Sequence, residues 1–212
     1  MRQDGEVRLA IRRWLPESMK RYLRLVKLAL SPIPPSAPSI PQIQLNGCVV
    51  LESRLAMLDM LPKGLVMCEV GSETGAFARE ILVRCRPRNL HAIDIDVSKI
   101  PTELLDMPNF SMHKGLSHAV LRSFRDEEFD FIYIDADHSY AAVRNDIDGA
   151  VPKLKPGGLL AFNDFARIVR PGFGTFGVHQ AVCEFAVRSG WEVVYFCLNG
   201  EALYDVALRK PA

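Results

Sequence analysis

FDFIYIDADHSYAAVRNDIDGAVPKLKPGGLLAFNDF, Phe129–Phe165, decides the fold. The stretch opens on a short apolar run, Phe129–Asp135, and closes on another, Gly158–Phe162, with a helical segment between them. Strand, helix, strand is the repeating unit of a parallel sheet, because parallel neighbours need a crossover long enough to hold a helix. Acidic and polar residues gather where each run ends: Asp135, Asp137 and His138 after the first, Asn163 and Asp164 after the second.

The same alternation extends outward on both sides. Toward the N-terminus the runs Leu65–Val70, Leu90–Ile95 and Phe110–His113 read as strands separated by helices. Toward the C-terminus a helix is expected at Val178–Ser189, followed by strands at Glu192–Leu198 and Leu203–Leu208. Asn199-Gly200 favours a tight reversal, so these last two strands are expected to form an antiparallel pair at the sheet edge. The sum is an α/β fold, a doubly wound, seven-stranded, mostly parallel sheet with an antiparallel edge strand.

EVGSETG, Glu69–Gly75, follows the first of these strands and opens the first helix. Glycines at such a turn let backbone amides approach a ligand, and a helix N-terminus favours a negative group. The dinucleotide fingerprint G-x-G-x-x-G is not met, since Gly71 and Gly75 are four apart and no third glycine follows. The next strand ends in HAIDID, which places Asp94 where a carboxylate can take ribose hydroxyls. Asp96 is the competing choice, and it equally suits the cap of the helix starting near Lys99.

In open parallel sheets ligands bind outside the carboxyl ends of the strands, so Asp135, Asp137, His138, Asn163 and Asp164 are expected to converge on one crevice. An unperturbed histidine titrates near neutrality, so His138 suits a proton acceptor, or else it orients the helix that follows. PGFGTFGVHQ, Pro171–Gln180, reads as a loop over this cleft, with His179 a further contributor. His91, inside a strand, reads as a core or edge residue.

The whole chain has 212 residues, 49% of them hydrophobic, which suits one domain and a short appendage. A formal net charge of +1 gives no overall field for nucleic acid, so no nucleic-acid partner is expected. Cys48, Cys68, Cys85, Cys183 and Cys197 form no C-x-x-C pair, which points away from zinc or disulfides and toward a reducing, cytoplasmic setting. No apolar stretch is long enough to be a transmembrane segment.

Three segments follow: a basic amphipathic helical arm over residues 1–30, a linker over 31–42 that carries five prolines, and a domain over 43–212. In the arm, Val7, Ile11, Trp14, Leu15 and Met19 recur at helical spacing between arginines and lysines, and Pro16 suits the first turn of a second helix. Such an arm either makes a peripheral membrane contact or packs as a lid or homodimer arm, and packing is the preferred reading.

EVGSETG, the strand ending in Asp94 and the Phe129–Phe165 block together resemble the class I S-adenosylmethionine-dependent methyltransferases. Within them the chain is most similar to the branch of catechol-type and sugar or macrolide O-methyltransferases, in the manner of methyltransferase domain family 24. The resemblance covers about Ile43–Arg209. It implies S-adenosylmethionine as cofactor and a small-molecule or saccharide acceptor. Glu69, Gly71, Ser72 and Gly75 would lie around the methionine and ribose parts, Asp94 would hold the ribose, and Asp135 would border the cofactor. Ser117 and His118 would lie near the adenine, although Ser117 also reads as a helix cap. Asp137 and His138 become the catalytic pair. Metal-dependent relatives imply a Mg²⁺ set of Asp135, Asn163 and Asp164, with the Asn-Asp order reversed from the catechol type.

Two rival functions share parts of this pattern. A nicotinamide-dependent (NAD) dehydrogenase shares the strand, glycine turn and acid, but not the missing glycine or the acidic cluster. A catalytically silent methyltransferase-like domain, recruited through its arm, would not need acids at both strand ends.

Overall fold

The computed structural model describes residues 36–167, 176–200 and 203–212, with isolated positions 16, 18–20, 22 and 26. Most of the arm, the first part of the linker and Pro171–Thr175 of the glycine-rich loop therefore lie outside the described residues. Positions 18–20, 22 and 26 are helical, and the Met19 and Lys20 amides donate to the Pro16 carbonyl. Among the described residues no helix is long and apolar enough to cross a membrane.

The domain begins with α1 (Gln42–Leu45), β1 (Val49–Leu51) and α2 (Arg54–Met60). Then strand and helix alternate: β2 (Val66–Val70), α3 (Ala76–Cys85), β3 (Asn89–Asp94), α4 (Thr102–Leu105), β4 (Phe110–Lys114) and α5 (Ser117–Ser123). The second half holds β5 (Phe129–Ile134), α6 (Tyr140–Ala150), β6 (Leu154–Phe162), α7 (Val178–Ser189), β7 (Glu192–Cys197) and β8 (Asp205–Arg209). All join one eight-stranded sheet in the order β1-β7-β8-β6-β5-β2-β3-β4.

The central strands are buried on both faces, which is why they read as continuous apolar runs. In β5, Ile132 and Ile134 face a core built with Leu121, Val143, Ile147, Val182 and Phe185 from α5, α6 and α7. Phe131 and Tyr133 face the opposite core, with Met57, Leu58, Phe77, Ile81 and Leu104 from α2, α3 and α4. Helices on both faces make the sheet doubly wound, as expected.

Two expectations need correction. The sheet has eight strands, because β1 adds to the edge in parallel with β7 (Val49↔Tyr195). Three residues with exposed Val49 and Val50 leave no apolar period to detect. The antiparallel strand is not at the edge either. β8 lies between β6 and β7 and runs antiparallel to both (Leu160↔Leu208, Val193↔Leu208). Val206, Ala207 and Leu208 are almost fully buried, and an interior position is the one that covers both faces of such a strand. The reversal also spans residues 198–204, longer than a two-residue turn at Asn199-Gly200.

Candidate functional site

From β2 the chain winds outward through β3 to β4 on one side, while β5 and β6 lie on the other. The crossovers diverge at β2 and β5, and this switch point opens a crevice beyond the carboxyl ends of the strands. The loop Gly71–Gly75 fills its floor. Gly71 has φ +90°, and a Cβ placed there would lie 2.0 Å from the Asp135 carbonyl oxygen. The Gly71 amide donates to the Ile93 carbonyl at 2.8 Å and the Asp135 amide to the Val70 carbonyl at 2.8 Å. Only a glycine backbone can pass so close to the end of β5.

Behind the loop, Glu69 is buried and its Oε2 accepts from the Ser72 hydroxyl at 2.7 Å. Burial pushes the Glu69 carboxyl up to about 8. Asp94 binds the front of the loop: Oδ2 accepts from the Glu73 amide at 2.8 Å and Oδ1 from the Asp96 amide at 2.9 Å. Asp96 caps the short 3₁₀ turn Val97–Lys99 through the Ser98 amide, so the competing residue takes the capping role.

A cavity of about 680 Å³ lies over this floor. Gly71, Asp94, Ser117, His118, Asp135, Asp137 and His138 all line it. Gly75, with φ +74°, packs against Leu104, and with Glu69 and Ser72 it shapes the loop from behind. The Ser117 hydroxyl donates to Oδ1 of Asp146 at 2.5 Å, tying α5 to α6. Asp137 Oδ1 accepts from the Ser139 amide at 2.7 Å, and Ser139 caps α6.

Charge concentrates at the β5–β6 end. His138 Nε2 lies 3.5 Å from Asp135 Oδ1 and 3.6 Å from Asp164 Oδ2. These distances are long for hydrogen bonds, and Nε2 has no hydrogen-bond partner, so the attraction is one of charge. Burial pulls the His138 pKa down, but the two carboxylates outweigh it and raise it above its ordinary value. The ring stacks on Phe176 with centroids 4.5 Å apart. Asp164 holds a left-handed backbone, φ +53°, a conformation that non-glycine residues adopt at some cost and that concentrates at functional sites. Burial raises its carboxyl, and His138 partly offsets this.

Beneath this cluster runs a partly buried hydrogen-bond chain that sequence reasoning missed. Arg54 of α2 reaches Asp135 Oδ2 at 3.3 Å and donates to the Tyr133 hydroxyl at 3.1 Å, with its guanidinium 4.5 Å over the Phe77 ring. Tyr133 donates to Asp205 Oδ2 at 2.8 Å, and Asn163 Nδ2 donates to Asp205 Oδ1 at 3.2 Å. Desolvation pushes Asp205 up to about 6.

The residues expected to hold Mg²⁺, Asp135, Asn163 and Asp164, each face a protein partner. Among the described residues no three acidic, histidine or cysteine side chains form a metal-holding group. Asp135 is engaged by Arg54 and faces His138, which also faces Asp164, while the Asn163 amide is turned to Asp205. Side chains supply the positive charge there. Two of the three residues still meet, but around an imidazole.

Residues 68–165 match the family model of a methyltransferase domain. No curated protein matches the chain. Among solved structures, a protein designated a hemolysin from Streptococcus thermophilus is 17% identical over 74% of this chain and 63% of that one, with a TM-score of 0.57. This chain thus spans less than two thirds of that structure's length. A SAM-dependent methyltransferase from Methanosarcina mazei is 14% identical over 76% of this chain and 99% of that one, TM-score 0.57. The N-methyltransferase NodS from Bradyrhizobium japonicum, in complex with S-adenosyl-L-homocysteine, is 18% identical over 75% and 85%, TM-score 0.53. At these identities the likeness is one of fold.

Proposed function

We propose that this protein is an S-adenosylmethionine-dependent methyltransferase acting on a hydroxyl oxygen of a small molecule or saccharide. The observation that carries the reading is the glycine cradle joined to Asp94 at the floor of a 680 Å³ cavity, inside the segment that matches the methyltransferase-domain model. The residues fit such a cofactor. Gly71 leaves room where any Cβ would strike backbone, and each Asp94 oxygen already accepts one amide and keeps a further lone pair for a ribose hydroxyl. A dehydrogenase is disfavoured by the missing third glycine.

When bound, the cofactor's sulfonium supplies an activated methyl group, so the protein's task is placement and removal of a proton. His138 accepts the proton of the acceptor hydroxyl, and Asp135 and Asp164, 3.5 and 3.6 Å away, stabilise the imidazolium that results. Phe176 holds the ring in plane from one side. Arg54 holds Asp135 in place through its 3.3 Å ion pair.

Calorimetric titration with S-adenosylmethionine tests the reading. Saturable binding is expected, weakened in Asp94→Ala by about 10- to 100-fold, the range for losing hydrogen bonds to a charged group. A folded wild-type protein that binds no S-adenosylmethionine would refute the proposal.

A further inference from the structure

A second cavity, of about 450 Å³, lies at the same sheet edge as the His138 cluster but on the other side of β6. Val50, Phe196 and Val206 line it as one row, paired in register across β1, β7 and β8. Phe165, just past the end of β6, continues the row, and α7 adds His179. At about 4.8 Å between strands, the row from Val50 to Phe165 is about 14 Å long. The chain from Ala37 to Ile40 runs along it. Phe165 alone among the lining residues falls within the segment 68–165, so the cavity is built from parts of the chain outside the methyltransferase-domain match. No lining side chain is charged at neutral pH, since burial and the nearby Arg167 hold His179 below its ordinary pKa.

Its inner end adjoins the reacting centre. Phe165 follows Asp164, whose carboxylate faces His138 at 3.6 Å, and its ring lies 4.8 Å from that of His179. The Gly177 amide, two residues before His179, donates to the His138 carbonyl at 2.7 Å. We infer that this cavity receives an unbranched alkyl chain of the methyl acceptor, so that the hydroxyl presented to His138 belongs to an amphiphile, a polar head on a lipid tail. Apolar lining favours such a tail over water. At about 30 Å³ for each water-sized group, 450 Å³ holds a chain of about ten to fifteen carbons. A peptide segment would bring amide groups that this lining leaves without hydrogen-bond partners, and a carboxylate or phosphate would find no cation on the wall.

This inference rests on the methyltransferase reading, and the experiment separates the two. Binding of butyl, hexyl and octyl β-D-glucoside is measured by calorimetry on the wild-type protein without S-adenosylmethionine and below the micelle concentration of each. Each two-carbon extension is expected to tighten binding by about 10-fold, the usual gain for burying two methylenes. Val50 is 62% exposed, so Val50→Glu puts a charge on the wall without disturbing the core; circular dichroism confirms the fold. Octyl glucoside is expected to bind this variant about 10-fold or more weakly. In wild type, octyl glucoside but not glucose is expected to shift the ring-proton resonance of His138, assigned by its loss in His138→Gln. A wild-type affinity that changes less than about 2-fold from butyl to octyl would overturn the inference, and it needs no variant to fold. Chain-length-dependent binding that leaves the His138 resonance unmoved would overturn the assignment of the chain to the acceptor. Unchanged octyl glucoside affinity in folded Val50→Glu would overturn the placement in this cavity. A separate titration with S-adenosylmethionine that shows no binding would refute the methyltransferase reading, whatever the glucosides do.

Discussion

Gly71→Ala is expected to abolish cofactor binding and to destabilise the domain by roughly 2–5 kcal/mol. Two effects add. At φ +90° a side chain brings backbone strain of about 1–2 kcal/mol. Its Cβ would also lie 2.0 Å from one backbone atom and 2.8 Å from another, the Asp135 oxygen and the Ala136 Cα, neither of which can rotate away as a side chain does. The ends of β2 and β5 must then separate, and the separation occurs under the cofactor itself. Thermal unfolding should show a fall of about 5–15 °C for a domain of this size, and titration with S-adenosylhomocysteine should show no saturation. Gly47→Ala, where nothing lies within 4 Å, is the control expected to change neither. Wild-type affinity in Gly71→Ala would mean that the cradle is not where the cofactor sits.

His138→Gln is expected to reduce turnover by about 10²- to 10⁴-fold at neutral pH, the usual range for a lost general base. Cofactor affinity should change little, because the Gly71 cradle and the Asp94 contacts are made without the His138 side chain. The pH profile carries the sharper signature. The base form is the neutral imidazole, and Asp135 and Asp164 raise the pKa above the ordinary 6.5. Wild-type kcat/KM should therefore climb as pH rises through a midpoint above 6.5, and this limb should disappear in the variant. Stability runs the opposite way. A raised folded-state pKa contributes stability that is fully present below the unfolded value and is lost as pH rises through the folded one. His138→Gln should thus lower Tm at pH 5.5 more than at pH 9. Normal turnover with an unaltered pH limb would assign the proton to another group.

What could be read from the sequence was what the chain writes locally. The cradle glycines, Asp94 and the Asp135–His138 segment each stand at the end of an apolar run, and the parallel sheet carries those ends to one edge without further information. Arg54, Tyr133 and Asp205 were invisible for the opposite reason. Arg54 sits in ESRLAMLDML, which looks like any amphipathic helix, and Tyr133 hides inside a strand among apolar residues. Asp205 meets Asn163 across 42 positions and only because β8 enters the sheet where it does. The same gap misdirected Asn163, whose amide answers a partner that no spacing rule announces.

The position of β8 governs how the protein can be made. Translation delivers β8 after β1 to β7, yet among the described residues β1 and β7 are joined to the rest of the sheet only through it. While the ribosome is still occupied, β2 to β6 can assemble, but the flank of β6 that awaits β8 stays open, an unpaired edge of the kind that recruits other chains. Closure is a long-range event, and the nascent protein must be kept from its neighbours until β8 has emerged to fill the gap.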